Sequence, residues 1–321
     1  MERVEGRTAF VTGGASGIGL GMATVFARNG MKVVLADIRQ EALEEAAHAL
    51  SREGLPVHPV LLDVTDREGY ARAADEAERV FGRIHVLCNN AGIGVTGPMI
   101  DATYDDWDWM MSVMVGGVIN GVQTVLPRIR RHGEGGHVVN TASMSGAFAS
   151  GIAGIYITAK YAVVGMAEAL RTELAGENIG VSAFLPGGVR TNIHQSHRLR
   201  PPGLNTGYAE LDHRREAMAA ARRDQPNAPP TAMDIIEVGE RVLRGIRRND
   251  LYIVTHAEFR AGLQARCDAL MRAFPDEPIE ESRLAFIQGV PTLGYNPIYD
   301  DQRPVPPFQN GKPAEVADLK K

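Results

Sequence analysis

Cysteine is scarce in this 321-residue chain. Cys88 and Cys267 are the two present, which excludes a disulfide framework, and no CxxC pair suggests a structural zinc site. No run of about 18 apolar residues is evident, so no membrane span is expected. The apolar stretch Thr8–Val11 is too short for a signal-peptide core. Positive charge is concentrated nowhere. The 34 Lys and Arg are interspersed with 39 Asp and Glu for a net charge of -5, which argues against nucleic acid as a partner. These absences lead us to expect a protein of the reducing cytoplasm whose partner is a small-molecule substrate.

What is present is enough apolar material, 44% of residues, for a sizeable core. Short β-branched runs alternate with helix-period segments. Strands are expected at Thr8–Val11, Lys32–Ala36, Val57–Leu62, Ile84–Cys88, His137–Thr141, Val181–Leu185 and Leu251–Val254. Helices are expected at Ile18–Asn29, Glu41–Glu53, Glu68–Phe81, Tyr104–His132, Ile155–Glu177, Ile235–Arg247 and, as an amphipathic element, Phe259–Ala273. Continuously apolar strands alternating with helices indicate an α/β fold, a doubly wound parallel sheet of Rossmann type. Such a sheet binds ligands at the carboxyl ends of its strands. The expected organisation is one domain over 1–255, with a substrate lid at 188–231 and a helical patch near Ala209–Arg223 within it. Residues 256–321 follow as a C-terminal helix and an irregular, proline-rich arm that ends, after a stretch expected to be disordered, in Lys320-Lys321.

The first strand runs into Thr12-Gly13-Gly14-Ala15-Ser16-Gly17-Ile18-Gly19. Its glycines allow a sharp turn and close approach to a pyrophosphate, and the helix that follows offers unpaired N–H groups. The strand–turn–helix context favours this nucleotide reading over an incidental tight turn. Asp37 closes the second strand, followed by Ile38. An acid here can accept both hydroxyls of an adenosine ribose and would repel a 2′-phosphate, favouring NAD over NADP. Arg39 lies close enough to reach such a phosphate. Asp63-Val64 ends the third strand, where Asp63 either bonds an adenine amino group or caps the next helix. Asn90-Ala91-Gly92 ends the fourth, with small residues that permit close contact.

Tyr156 and Lys160 stand one helical turn apart on one face. A tyrosine is a poor acid–base group at neutral pH unless a nearby cation favours its phenolate. Ser143, at the end of the fifth strand, can hold a substrate oxygen. With these residues in this order the chain resembles the short-chain dehydrogenase/reductase family, from residue 7 to about 255. The resemblance implies Tyr156 as general acid/base, Ser143 as orienter of the substrate oxygen, and Lys160 as binder of the nicotinamide ribose and tuner of Tyr156. Pro186-Gly187, Val189 and Thr191 would contact the carboxamide and phosphate end of the cofactor. The resemblance also implies a homodimer or homotetramer through the long helices Tyr104–His132 and Ile155–Glu177.

One position departs from the family pattern. Met114 stands where the family carries a fourth catalytic residue, an asparagine that kinks its helix and holds a water on the proton path. Asn120 lies too far along to substitute. Ser196–Pro201, Thr206-Gly207-Tyr208 and Asp250–Val254 are similar to the branch that includes bacterial Cα-dehydrogenases of lignin-derived β-aryl ethers. That similarity implies a bulky or aromatic secondary alcohol under the lid. The competing expectations are a non-catalytic NAD-binding or redox-sensing protein, prompted by Met114, and a lyase or epimerase using NAD transiently. No metal site is expected, since His194, His197 and His213 lack ligand spacing.

Overall fold

The computed structural model describes residues 1–95, 97–151, 153–211, 213–214, 217 and 232–308. Seven strands form one sheet: β1 (Thr8–Thr12), β2 (Lys32–Asp37), β3 (Val57–Leu61), β4 (Val86–Asn89), β5 (Gly136–Thr141), β6 (Ile179–Leu185) and β7 (Tyr252–Val254). Their order is β3-β2-β1-β4-β5-β6-β7, and every pairing is parallel. Strands β1, β4, β5 and β6 are buried along their whole length, because helices cover both faces.

Helices α1 (Gly17–Arg28) and α2 (Gln40–Arg52) cover one face. They are joined there by α7 (Ile235–Arg248), and their core includes Phe26, Leu43, Val238 and Ile246. The other face carries α3 (Arg67–Phe81), α5 (Gly117–His132) and α6 (Gly154–Glu173), packed through Tyr70, Val125, Ile129 and Val163. A third apolar cluster, with Trp109, Met110 and Met114, lies beyond the carboxyl edge.

The segment read as one helix from Tyr104 to His132 has an interruption. Helix α4 (Tyr104–Met111) passes through a π-helical turn at Ser112–Gly116 before continuing as α5. This stretch is apolar and long enough to cross a membrane by length and composition, more than the sequence reading credited. Here its apolar residues Met110, Met114, Val118, Val125 and Ile129 are core.

One expectation for the C-terminal region is corrected, that of an irregular arm. The helix expected over Phe259–Ala273 is present as α8 (Arg260–Arg272), and none of its residues is buried. The arm expected to be irregular contains α9 (Glu281–Gly289), capped by Glu280, whose carboxylate accepts from the backbone of Ser282 and Arg283. The prolines that suggested irregularity, Pro275, Pro278 and Pro291, lie outside this helix and delimit it. The end of the lid, most of the patch at 209–223 and the expected disorder near Lys320-Lys321 fall outside the described residues.

Candidate active site

A cavity of about 610 Å³ opens at the carboxyl ends of the strands, where the strand order reverses between β1 and β4. Among the candidate residues, Gly13, Ser16, Gly17, Ile18, Asp37, Ile38, Asp63, Val64, Asn90, Ala91, Gly92, Tyr156, Lys160, Pro186 and Thr191 line it. Gly19, Ser143, Gly187 and Val189 are not among the residues that line it.

The first turn of α1 is left without a protein cap. Ser16 occupies the N-cap position but makes no capping bond, and the first turn has no acid. Its N–H groups therefore suit an anion. A Cβ on Gly19 would collide with the Gly13 carbonyl, so a glycine here is what lets the helix start so close to the loop. The Thr12 hydroxyl donates to Cys88 O (3.2 Å) and accepts from the N–H groups of Asn90 (2.9 Å) and Ala91 (3.0 Å). One side chain thus ties the ends of β1 and β4 together.

Asp37 is buried, and both of its oxygens are engaged. Oδ2 accepts from Ala15 N at 3.2 Å and from the Arg39 guanidinium at 3.1 Å, while Oδ1 accepts from Arg39 N and Nε at 3.1 Å each. Arg39 also donates to the Ser16 hydroxyl at 2.7 Å. Arg39 thus lies across the Asp37 carboxylate. Asp63 is corrected in one respect. Its Oδ1 accepts from the N–H and hydroxyl of Thr65, both at 2.8 Å, whereas the N-cap position of α3 belongs to Asp66. It therefore stabilises the turn before the helix and does not cap the helix itself.

Three groups converge where the cavity meets α6. Tyr156 sits in the first turn of α6, and Lys160 follows one turn later, its Nζ donating to Thr141 O at 2.7 Å and lying 5.5 Å from the Tyr156 ring centroid. Ser143 follows β5 in extended backbone, its Oγ accepting from Ser145 N at 3.1 Å. Burial brings the Lys160 ammonium down to about 7. Burial also pushes the Tyr156 phenol up, with the Ser143 hydroxyl pulling the other way through a hydrogen bond. The upward push on Tyr156 thus comes from burial, against the lowering expected from the neighbouring cation.

Met114 is buried in the π-turn, and its Sδ accepts from Ile93 N at 3.2 Å. The thioether thus satisfies a buried backbone donor directly after Gly92. π-turns insert an extra residue and are frequent at functional sites. Asn120, set aside in the sequence, has a positioning role: its Nδ2 donates to Val64 O at 2.8 Å and holds the loop after β3.

The lid segment closes the other side. Ile193, Gln195, Ser196, Leu199 and Leu204 line the cavity opposite Trp109 and Val113. The segment is fastened to the start of α4. The Arg200 guanidinium pairs with buried Asp106 at 2.5 Å and lies 4.5 Å from the Trp109 ring centroid. Asp106 also accepts from Gly207 N and from the Thr103 hydroxyl and N–H. Burial alone would raise its carboxyl, yet these hydrogen bonds hold it below the usual carboxylate range. Asn205 donates to Asp105, and the Tyr208 hydroxyl to Pro98 O at 2.9 Å. The motifs Ser196–Pro201 and Thr206-Gly207-Tyr208 thereby include the lid's anchors. The signal for Asp106 was present as the Thr103-x-x-Asp106 capping box, which the structure contains.

Gly187 packs beneath the cavity against His256 and Phe259, and Val189 bridges to Met233. Among the described residues one group could gather around a metal, His85, His132 and Glu134, before β4 at the opposite end of the sheet. Arg7 and Arg83 already pair with Glu134, and both ring nitrogens of His132 have partners.

Comparison with known proteins places this geometry in context. A family model described as short chain dehydrogenase matches residues 7–201. A C alpha-dehydrogenase of Sphingobium sp. (strain SYK-6) is 40% identical over 273 residues, covering 84% of this chain and 87% of that protein. The apo form of LigO from the same strain superposes with a TM-score of 0.72 at 42% identity, over 90% of this chain and 97% of that one. A short chain dehydrogenase/reductase from Burkholderia phymatum in complex with NAD gives 0.76 at 33% identity, over 87% of this chain and 100% of that one.

Proposed function

The chain belongs to the short-chain dehydrogenase family, and on that premise we propose that it moves a hydride between NAD(H) and a bulky secondary alcohol or ketone, an aryl-alkyl alcohol by class. The observation that carries this reading is a single cavity lined by residues of the glycine loop, Asp37, Tyr156, Lys160, Trp109 and the anchored lid. The uncapped start of α1 suits a pyrophosphate, and the buried carboxylate of Asp37 suits a ribose diol, which favours NAD over NADP. Ribose hydroxyls would take over acceptor sites now used by Arg39.

NAD held by the glycine loop and Asp37 would supply the hydride acceptor. The protein's task is the proton. In alcohol oxidation Tyr156 takes the hydroxyl proton as the carbinol carbon gives up its hydride, leaving a ketone. Ser143 orients the substrate oxygen and favours the phenolate. Lys160, fixed on Thr141 O, would hold the nicotinamide ribose beside Tyr156. The apolar lid residues exclude water from the carbinol carbon.

The test follows NADH absorbance with aryl secondary alcohols and steroids, offering NAD and NADP in parallel. We expect NADH formation with aryl alcohols and weaker use of NADP. Tight NAD binding without turnover on any substrate would instead support a binding protein. Conversion of substrate without NADH accumulation would support a lyase or epimerase.

A further inference from the structure

After β7 the chain leaves the body and later returns to it. At the start of this excursion the Phe259 and Phe148 rings lie 5.8 Å apart, and the Arg266 guanidinium lies 5.4 Å from the Tyr161 ring centroid. Residues 264–295 are then exposed without exception. The return is firm. Asn296 donates to the Thr172 hydroxyl at 2.8 Å, Ile298 is buried, Asp301 pairs with Arg171, and the Gln302 side chain accepts from Tyr252 N at 2.8 Å, covering a donor of the edge strand. Both ends are fixed, and the middle is bare.

That middle is not built for water. Leu263, Cys267, Leu270, Met271 and Phe274 follow the spacing of one apolar helix stripe along α8 and just past its end. Met271, Phe274, Ile279 and Phe286 are 68–74% exposed. Exposed apolar surface of this continuity marks an interface. Helix α9 has nine residues, and isolated helices shorter than about 12–15 residues are marginal in water. Among the described residues it has no packing partner that buries it.

Charge indicates which partner. Helix α8 carries Arg260, Arg266 and Arg272 against one acid, Asp268. The segment just after it carries Asp276, Glu277, Glu280 and Glu281. Among the described residues, Arg260, Arg272, Asp276, Glu277 and Glu281 form no ion pair within the chain, while Glu280 pairs with Arg283. A surface that is basic at one end, acidic at the other and apolar between is complementary to its own copy turned by a two-fold axis. The acidic end disfavours an anionic lipid surface.

We propose that the arm from Leu263 to Tyr295 is a clasp between subunits. It docks on a second copy of this chain, burying the α8 stripe and α9, with Arg272 facing the acidic segment of the partner.

Sedimentation velocity on the full chain tests this, with Cys267 as a built-in probe, since Cys88 is buried. The wild type should self-associate, and thiol labelling of Cys267 should slow as protein concentration rises. Phe274→Asp with Phe286→Asp should weaken association by about tenfold or more, as loss of interface anchors does. Arg272→Glu should weaken it, and adding Glu277→Arg should restore it. These side chains are exposed in the single chain, so an unchanged Tm and cofactor affinity confirm that the fold is intact. A wild type that stays monomeric, or an assembly unmoved by the apolar and charge variants, overturns the proposal. So does Cys267 labelling that is independent of concentration, or vesicle binding without self-association.

Discussion

The two walls of the cavity are built by different means. The cofactor wall consists of strand ends, and its side chains point where the parallel register puts them, with Thr12 tying β1 to β4. The lid wall is a segment about 90 residues beyond α4 in sequence, held there by Asp105 and Asp106 through Arg200, Asn205 and Gly207. The first wall is as rigid as the sheet. The second depends on a few polar anchors, so substrate recognition should be separable from cofactor binding by single substitutions.

The largest effect expected is that of Tyr156→Phe, which removes the proton acceptor. It should lower kcat by about 10³–10⁴-fold while cofactor Kd, read by fluorescence titration, stays near wild type. Next comes Asp106→Ala, which leaves Arg200 buried without its carboxylate. Breaking such a pair costs about 3–5 kcal/mol. The expected signature is a KM for the alcohol that rises far more than cofactor Kd. An equal rise in both would show that the walls are one unit. Because the Asp106 carboxyl is held below its ordinary range, the stability it contributes is present above the unfolded value and is lost as pH falls through the folded value. The lid should therefore hold at neutral pH and loosen in acid.

Ser143→Ala should cost about 10²-fold in kcat. Ser143 opposes the upward push of burial on Tyr156, so its removal should also move the acid-side limb, where alcohol oxidation rises as Tyr156 ionises, to higher pH. A limb that moves down or stays in place would remove Ser143 from the tuning of Tyr156. The smallest effect belongs to Met114. Met114→Leu leaves Ile93 N without an acceptor, a cost of about 1–3 kcal/mol in stability by thermal unfolding, whereas Met114→Asn can retain the bond. A marked gain in kcat for Met114→Asn would mean that the wild-type proton relay is broken.

The cofactor wall was legible in the sequence because glycine spacing, strand-end acids and the Tyr156/Lys160 turn are local patterns. The fold class followed from the same alternation of elements. Other features were not legible for physical reasons. Arg39 lies across Asp37 because two side chains two residues apart share one strand end, which spacing alone does not orient. The π-turn at Ser112–Gly116 leaves the apolar pattern of Tyr104–His132 unbroken. Helix α9 was hidden by prolines that turn out to flank it. The bareness of α8 escaped notice because an apolar stripe reads the same whether its partner is in the chain or in another molecule.

The family, and with it a dehydrogenase, was legible in sequence alone, since the glycine loop, Tyr156 and Lys160 that carry the resemblance lie within single strand–turn–helix units. Tertiary structure alone decided the electrostatics and the substrate wall. Burial, which no local pattern reports, raises Tyr156 and brings Lys160 toward neutrality. The lid's seat on Asp106 joins residues 94 positions apart, and only the folded chain brings that pair into contact.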